Sequence, residues 1–299
     1  MASTTTVEPD RAVAAAAPTR RKRGIPWATV RSYVGIALIV LFCLAPFYWM
    51  IVTSFRDVDF TFDNTPWPTH VTLDNYRTVF DTSLGNNFAQ ALLNSAIIGV
   101  CTTILAVMFG VFAAYALARL DFNGKFLVLG IVLGASMFPG VALLTPLFQL
   151  FTNIGWFGTY QALIIPDISF ALPLTIYVLT AFFAEMPWEL EQAARVDGAT
   201  PGQAFRKIIL PLAAPGLFTT AILAFIAAWN EYLLASQLSS DRTEPVTVAI
   251  AAFTGSQPQQ EPYTAIMAAG TVVTVPLVIL VLILQRRIVA GLTAGGVKG

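Results

Sequence analysis

Side chains capable of acid–base, nucleophilic or metal chemistry are scarce in this sequence. It holds one histidine, His70, and two cysteines, Cys43 and Cys101. Both cysteines lie inside apolar runs, which favours buried thiols that fill space over a disulfide. One His and two Cys fall short of the four ligands of a structural zinc site. The sequence contains no G-x-x-x-x-G-K-[ST] phosphate loop and no Ser-His-Asp pattern around His70. We therefore predict a non-catalytic chain that binds no cofactor, whose energy source resides on a partner.

Two carboxylates interrupt long apolar runs. Asp167 follows Pro166 early in one run, and Glu231 follows Asn230 near the end of another. Ionisable side chains inside membrane spans are costly and usually face a cavity or a water-filled path. Both carboxylates lie close to the ends of their runs, so snorkelling to the membrane surface explains them equally well.

The elements that must position these groups are membrane-length apolar segments. The chain is 56% hydrophobic and 11% charged, whereas a soluble domain carries about 25% charged residues. A helix that crosses the bilayer needs about 20 apolar residues. Six runs qualify, at about residues 33–55, 88–117, 126–150, 161–184, 212–235 and 263–285.

The distribution of Lys and Arg predicts the orientation. If the N-terminus is inside, only Arg56, Arg77 and Arg242 of the 17 basic residues fall outside. This asymmetry is typical of the positive-inside rule. We predict a multi-pass protein of the plasma membrane with both termini in the cytoplasm. The net charge is zero and as a whole points to no partner. For a chain of this apolar composition we expect membrane lipid as a partner and no nucleic acid.

The polar loop at residues 185–211, between the fourth and fifth runs, is predicted to hold two short helices. The first begins at Pro187 and stops at Asp197-Gly198, where Gly supplies a left-handed residue. The second begins with Thr200 as cap, Pro at the first position and Gln203 three residues after the cap, which is a capping box.

Each loop helix is expected to carry a partly apolar face. The first face comprises Leu190, Ala193, Ala194 and Asp197, and the second comprises Phe205, Ile208 and Ile209. No partner for either face exists within the loop itself. The helices either lie against the bilayer or the chain's own bundle, or they dock on another protein.

The spacing of this loop resembles the E-A-A signature of ABC importer permeases. Gln192-Ala193-Ala194 is followed by Gly198 and then by Ile208-x-Leu210-Pro211. DGATPGQAFRKIILPLAAPG, AWNEYLLA, FTGS and QRRIVAGLTAGGVKG are similar to the MalG-type branch of sugar importers, including its mycobacterial trehalose permeases. Asn75-Tyr76 and Asn94-Ser95 also match, so that the likeness covers roughly residues 30–299. Gln192 departs from the Glu of the signature, and either the contact is weaker or Glu191 substitutes.

The resemblance implies an all-α integral membrane fold of six transmembrane helices, the MetI-like permease of type I ABC importers. The loop between spans 4 and 5 would be its cytoplasmic coupling loop. ATP and Mg are then expected on two partner ATPase subunits, alongside a second permease chain and an extracytoplasmic sugar-binding protein. The resemblance assigns ATPase coupling to these residues: Glu191, Gln192, Ala193, Ala194, Asp197, Gly198, Ala199, Phe205, Ile208 and Pro211.

The same resemblance implies a sugar substrate, such as the α-linked disaccharides trehalose or maltose. The alternative is a permease for another solute, such as a different oligosaccharide or a glycerol-phosphate compound. Hydroxyl groups need paired donors and acceptors, and sugar ring faces stack on aromatic rings. Candidates for the substrate path are therefore Asn94, Asp167, Trp229, Asn230 and Glu231. The apolar patch Val246–Phe253 either contacts the binding protein or packs on the chain's own bundle. The Gly-rich segment Gly291–Gly299 is either a frayed end or a further contact with the ATPase.

Two other classes of function remain open at this stage. In a secondary carrier for a sugar or another solute, Asp167 or Glu231 would move a proton or ion; no inverted repeat is evident to favour it. A membrane scaffold would show no transport at all. The predicted layout is a disordered tail at 1–30, a permease domain at 31–285 and a C-terminal tail at 286–299.

Overall fold

The computed structural model describes residues 27–253 and 262–294. Within those residues the secondary structure is helical, with one isolated bridge between Arg56 and Val71. Most of the disordered tail predicted at 1–30 lies outside the described residues. The helices are α1 (Trp27–Ser54), α2 (Asp74–Val79), α3 (Phe88–Arg119), α4 (Lys125–Ser136), α5 (Gly140–Asn153), α6 (Tyr160–Glu185), α7 (Glu189–Val196), α8 (Pro201–Ala204), α9 (Leu210–Leu212), α10 (Ala214–Trp229), α11 (Ala235–Leu238), α12 (Val246–Ala251) and α13 (Tyr263–Ala294).

The chain divides into two compact units, Met1–Tyr48 and Trp49–Gly299. The described part of the first unit is the apolar stretch of α1 up to Tyr48, which contains Pro46. The second unit contains the remaining helices.

Four continuous helices are long and apolar enough to cross a bilayer. They are Thr29–Ser54 within α1, all of α3 and α6, and Tyr263–Leu284 within α13. An 18-residue stretch within each of them has a mean hydropathy of 1.9 to 2.7. These segments agree with four of the six predicted spans to within a few residues.

The spans predicted at 126–150 and 212–235 correspond to helices that are bent rather than continuous. The first region is split into α4 and α5, which meet at 86°, and Pro139 directly precedes α5. The second begins at a bend of 71° between Pro201–Leu212 and α10, and α10 ends at Trp229. Proline removes a backbone donor and breaks the helix ladder. With each bent pair counted as one span, the described residues hold up to six spans.

In the second unit, α3 packs against α6 and α10, and α10 also contacts α6 and α13. Two glycines make this close approach possible. A Cβ added at Gly110 would lie 2.5 Å from Cγ2 of Thr175, and one at Gly216 would lie 2.7 Å from the ring of Phe182. Small residues at membrane helix interfaces allow this kind of tight packing.

The last helix is longer than predicted. α13 continues past the expected end of the span at 285 and reaches Ala294. The C-terminal tail predicted at 286–299 therefore begins as helix, and residues 295–299 lie outside the described residues.

Candidate functional site

The loop between α6 and α10 has most of the predicted local structure. α7 begins at Glu189 rather than at Pro187, and it ends before Gly198, whose φ of +86° is left-handed. The capping box is formed: the backbone N–H of Gln203 donates to Oγ1 of Thr200 over 3.3 Å, and the N–H of Thr200 donates to Oε1 of Gln203 over 2.8 Å. A π-helical turn at Phe205–Ile209 then leads through α9 to α10.

The inward face of α7 differs from the predicted one. Glu191 and Ala194 are buried, whereas Leu190, Ala193 and Asp197 are exposed. Tyr115, near the end of α3, donates its hydroxyl hydrogen to Oε1 of Glu191 over 2.7 Å. This bond fixes α7 to the bundle.

A cation also fixes the entry to the loop. Nη2 of Arg119, the last residue of α3, donates to the carbonyl oxygen of Met186 over 2.9 Å. Its guanidinium carbon lies over the ring of Trp188, 5.2 Å from the ring centroid. Arginine over a tryptophan face is a favourable cation–π arrangement. The loop is therefore held at both its entry and its first helix by the same end of α3.

The apolar face of the second loop helix is occupied within the chain. Phe205 and Ile209 are buried in a cluster with Leu179 and Phe183 of α6. The ring of Phe205 lies 4.6 Å from that of Tyr115. This face therefore packs on the chain's own bundle, which is one of the alternatives that the sequence left open. Ile208 is half-buried, as is Ala199, and Pro211 is exposed.

The turn of the loop is exposed. We define the coupling surface as Gln192, Ala193, Arg195, Val196, Asp197 and Gly198, all of which are exposed. Val196 is an apolar side chain that is 87% exposed. The surface thus combines one cation, one anion, one amide and an apolar residue on a turn that is firmly held from behind.

The structure also decides between the two readings of the Gln192 departure. Glu191 is only 5% exposed and hydrogen-bonded to Tyr115, so it does not stand in for a carboxylate on the coupling surface. Gln192 itself is exposed. This surface therefore presents a neutral amide where the signature has a charged carboxylate.

At the opposite end of α3, Asn94 has a structural role that the sequence did not predict. Its Nδ2 donates to the carbonyl oxygens of Arg242 and Glu244 over 3.1 and 2.8 Å. Its Oδ1 accepts from Nε2 of Gln90 and from the hydroxyl of Tyr160 over 2.9 and 2.7 Å. The whole amide is used within the chain, so Asn94 is not available to bind a solute.

Trp229 and Asn230 are likewise not placed as predicted. Trp229 is 3% exposed and stacks on Phe225, with 5.4 Å between ring centroids. Asn230 ends α10 by donating from Nδ2 to the carbonyl oxygen of Ile226 over 2.8 Å. Neither residue lines the pocket that contains the two carboxylates. The first belongs to the core, and the second terminates a helix.

Asp167 and Glu231 do come together. Both line one pocket of about 230 Å³, with Gly140 and Phe170 among the other lining residues. Asp167 is 7% exposed. The carboxylate of Glu231 accepts from the backbone N–H groups of Leu234 and Ala235 over 2.7 and 2.9 Å, and so caps α11.

The patch at Val246–Phe253 packs on the chain's own bundle. Val246 and Phe253 belong to a buried cluster with Trp229. The backbone N–H of Val246 donates to Oγ of Ser95 over 2.8 Å. This agrees with the second of the two alternatives for this segment, and most of the FTGS stretch lies outside the described residues.

Sequence reasoning missed Arg56, which is fully buried at the end of α1. Its guanidinium donates to the carbonyl oxygens of Asp63 and Thr65 and lies 4.9 Å from the ring centroid of Trp49. Nδ2 of Asn75 donates to the carbonyl oxygen of Arg56 over 2.7 Å. An arginine directly after an apolar run was the available signal, and the carbonyls that surround it come from a loop whose path the sequence does not reveal.

Comparison with known proteins decides the family. A family described as "Binding-protein-dependent transport system inner membrane component" matches residues 106–293. The chain belongs to this family. It is a permease subunit of a sugar ABC importer, a non-catalytic protein that crosses the plasma membrane several times.

Individual relatives of this permease cover nearly its whole length. It is 50% identical over 93% of its length to the trehalose transport system permease protein of Mycobacterium tuberculosis, 99% of which is covered. It is 43% identical over 89% of its length to the trehalose/maltose transport system permease protein of Thermococcus litoralis, 95% of which is covered. A crystal structure of a bacterial ABC transporter for the acidic polysaccharide alginate matches with a TM-score of 0.72 at 20% identity, covering 87% of this chain and 96% of that one. At that identity the structural match supports the fold alone.

Proposed function

We propose that this permease forms half of the membrane pore of an ATP-driven, binding-protein-dependent importer for a neutral α-linked disaccharide such as trehalose or maltose. The two relatives above, at 50% and 43% identity, are named for transport of these sugars. More distant relatives are named for sulfoquinovosyl glycerol and diacetylchitobiose, at 38% and 34% identity. The identity to the trehalose and trehalose/maltose permeases favours these disaccharides.

The observation that carries the proposed mechanism is the attachment of the coupling surface. It lies on an exposed turn, and behind it Glu191 is bonded to Tyr115 of α3 while Phe205 is buried against α6. Force applied to the turn by a partner is therefore transmitted to the membrane helices. A loosely tethered loop would absorb the same movement.

The partner at this surface is proposed to be an ATPase subunit. The described residues of this chain contain no group of three or more His, Cys, Asp and Glu that could hold a metal ion, and the sequence has no phosphate loop. ATP and Mg would be held by the two ATPase subunits. The excess of Lys and Arg on the loop's side supports its placement in the cytoplasm.

α3 is the element that would carry the movement across the membrane. Tyr115 near one end is bonded to α7, and Asn94 near the other end is bonded to the carbonyls of Arg242 and Glu244. Tyr115 lies 21 positions after Asn94 in the sequence, which corresponds to about 30 Å of helix at about 1.5 Å per residue. ATP binding would draw the two coupling loops of a heterodimeric permease together, and α3 would convey this to the surface that receives sugar from the binding protein.

The proposal is tested by uptake of labelled sugars into cells that lack this gene. We expect loss of trehalose or maltose uptake and its recovery when the gene is restored. Collapse of the proton gradient with ATP maintained should leave this uptake intact. Uptake that depends on the proton gradient instead of ATP would refute the proposal and indicate a secondary carrier. If the cells lose uptake of a different solute only, that solute is the substrate.

A further inference from the structure

The pocket that contains Asp167 carries an inference about what the permease itself recognises. Its lining residues are Gly140, Asp167, Phe170, Ala227, Ala228, Glu231, Leu233 and Leu234. We refer to it as the Asp167 pocket. Its volume of about 230 Å³ is below the range of about 300–1,000 Å³ typical of pockets for drug-sized ligands. A single sugar ring is therefore a better match than a whole disaccharide.

The carboxylate of Asp167 is unused within the chain. The side chain is 7% exposed, and the described residues give it no hydrogen bond or ion pair. A buried polar group without a partner costs free energy that native structures rarely leave uncompensated. Because Asp167 lines the pocket, its carboxylate is available to accept hydrogen bonds from a solute that enters.

Donors and acceptors both converge on the Asp167 pocket. Gly140, which lines it, is the first residue of α5, and the preceding Pro139 provides no side-chain cap. The first backbone N–H groups of a helix have no partner within the helix. On the opposite side, Glu231 is oriented by the N–H groups of Leu234 and Ala235, and each of its oxygens retains a further acceptor site.

The break between α4 and α5 is what brings that helix end to the pocket. A continuous helix through residues 126–150 would have satisfied the backbone groups near Gly140 internally, whereas the 86° bend exposes the amino end of α5. Broken helices at membrane depth are tolerated where they line a cavity. In many transporters such half-helix ends form the solute site.

The charge of the lining restricts the solute. Asp167 and Glu231 are the acidic members of the described lining, and no cation is among them. A carboxylated or phosphorylated sugar would be repelled by both groups. Hydroxyl groups would donate to the carboxylates and accept from the amino end of α5, and Phe170 offers an aromatic surface for a ring face.

We propose that the Asp167 pocket is a binding site, on the transport path, for one ring of a neutral, hydroxyl-rich solute. Asp167 is its principal hydrogen-bond acceptor. This inference rests on the proposed function, since it assumes that sugar passes through this chain.

The test uses the complete transporter, reconstituted with its second permease, ATPase subunits and binding protein in liposomes. Asp167→Leu removes the acceptor, and Asp167→Asn keeps an acceptor while removing the charge. Ser169→Leu is the matched control, because Ser169 is an exposed residue on the same helix whose hydroxyl bonds only to the carbonyl oxygen of Ile165. ATP-dependent uptake of labelled trehalose and binding-protein-stimulated ATP hydrolysis are measured for each, and co-purification of the subunits verifies assembly.

We expect Asp167→Leu to reduce uptake about ten- to a hundredfold, as expected for the loss of hydrogen bonds to a charged group. ATP hydrolysis should persist, and Asp167→Asn and Ser169→Leu should stay within about threefold of wild type, a difference smaller than one such bond. Normal uptake by an assembled Asp167→Leu transporter would overturn the inference.

Loss of uptake in Asp167→Asn as complete as in Asp167→Leu would also overturn it, because a required charge indicates a bound cation or proton. If the Asp167→Leu transporter fails to assemble, uptake by Asp167→Asn still distinguishes a hydrogen-bond acceptor from a required charge. A wild-type transporter that imports no neutral disaccharide would refute the proposed function itself, which separates the two failures.

Discussion

The hydrogen bond between Tyr115 and Glu191 is the most informative place to perturb the connection between the loop and the membrane helices. Tyr115→Phe removes one oxygen atom and leaves the ring in its contacts with Phe183 and Phe205. The carboxylate of Glu191 is 5% exposed, and its Oε2 atom already has no partner. Without the tyrosine hydroxyl, neither of its oxygens would have a hydrogen bond to the chain.

The expected cost is that of a lost hydrogen bond to a charged group, about 1.5–3 kcal/mol. Since about 1.4 kcal/mol corresponds to a tenfold change in an equilibrium constant, the docked position of α7 would be disfavoured by about ten- to a hundredfold relative to wild type. Replacement of both partners by apolar groups can be nearly neutral. Tyr115→Phe combined with Glu191→Met should therefore be more stable than Tyr115→Phe alone.

The assay measures sugar imported per ATP hydrolysed by the reconstituted transporter, together with the thermal unfolding midpoint of the purified complex. Tyr115→Phe should lower both, and the double variant should recover the midpoint. Tyr177→Phe is the control, because Tyr177 is 52% exposed on α6. Wild-type coupling and an unchanged midpoint in Tyr115→Phe would refute the claim that this bond fixes the loop, as would a double variant with strictly additive effects.

Three further perturbations follow from the geometry. Gly198→Ala places a Cβ on a residue with φ of +86° and should cost about 1–2 kcal/mol and reduce sugar uptake per ATP, whereas Gly202→Ala, at an open helical position, should not; equal uptake ratios would contradict this. Gly110→Ala brings a Cβ within 2.5 Å of Thr175 and should lower stability by about 1–3 kcal/mol, seen as a lower unfolding midpoint; an unchanged midpoint would show that the helices separate freely. Burial raises the pKa of Glu244 above its ordinary value, so the folded state binds the proton more tightly than the unfolded state and stability falls as the pH rises through that raised pKa; Glu244→Gln should flatten this pH dependence of the midpoint, and a parallel shift at all pH values would disprove the assignment.

The sequence predicted those features that depend on local patterns. The capping box depends on the side chains of Thr200 and Gln203, and the left-handed turn depends on the lack of a side chain at Gly198. Both are present as predicted. Long uninterrupted apolar runs likewise became α3 and α6. In these cases neighbours in sequence determine the outcome.

The errors concern contacts between residues far apart in sequence. Asn94 has the type of side chain that binds sugar hydroxyls. Its amide instead donates to the carbonyl oxygens of Arg242 and Glu244, 148 and 150 residues further along the chain. Phe205 lies on an apolar face whose partner the sequence left open, and α3 and α6 cover it. Periodicity identifies an apolar face without revealing what covers it.

Pro139 marks the bend between α4 and α5 in the sequence, but the size of the bend could not be predicted from it. Proline inside an apolar run is compatible both with a kinked span and with a full break, so the residue type alone does not specify the 86° angle. That bend brings Gly140 to the same pocket as Asp167 and Glu231. The part of the candidate site that was hardest to predict is thus the part that depends on a broken helix.

The central claim is that this chain imports a neutral disaccharide by coupling its membrane helices to ATP hydrolysis on a partner through the exposed turn at Gly198. The most direct test is simultaneous measurement of ATP hydrolysis and labelled trehalose or maltose uptake by the reconstituted transporter, in wild type and in Gly198→Pro. The account predicts ATP-dependent uptake in wild type and hydrolysis that no longer drives uptake in the variant. Coupled uptake that survives Gly198→Pro would contradict it.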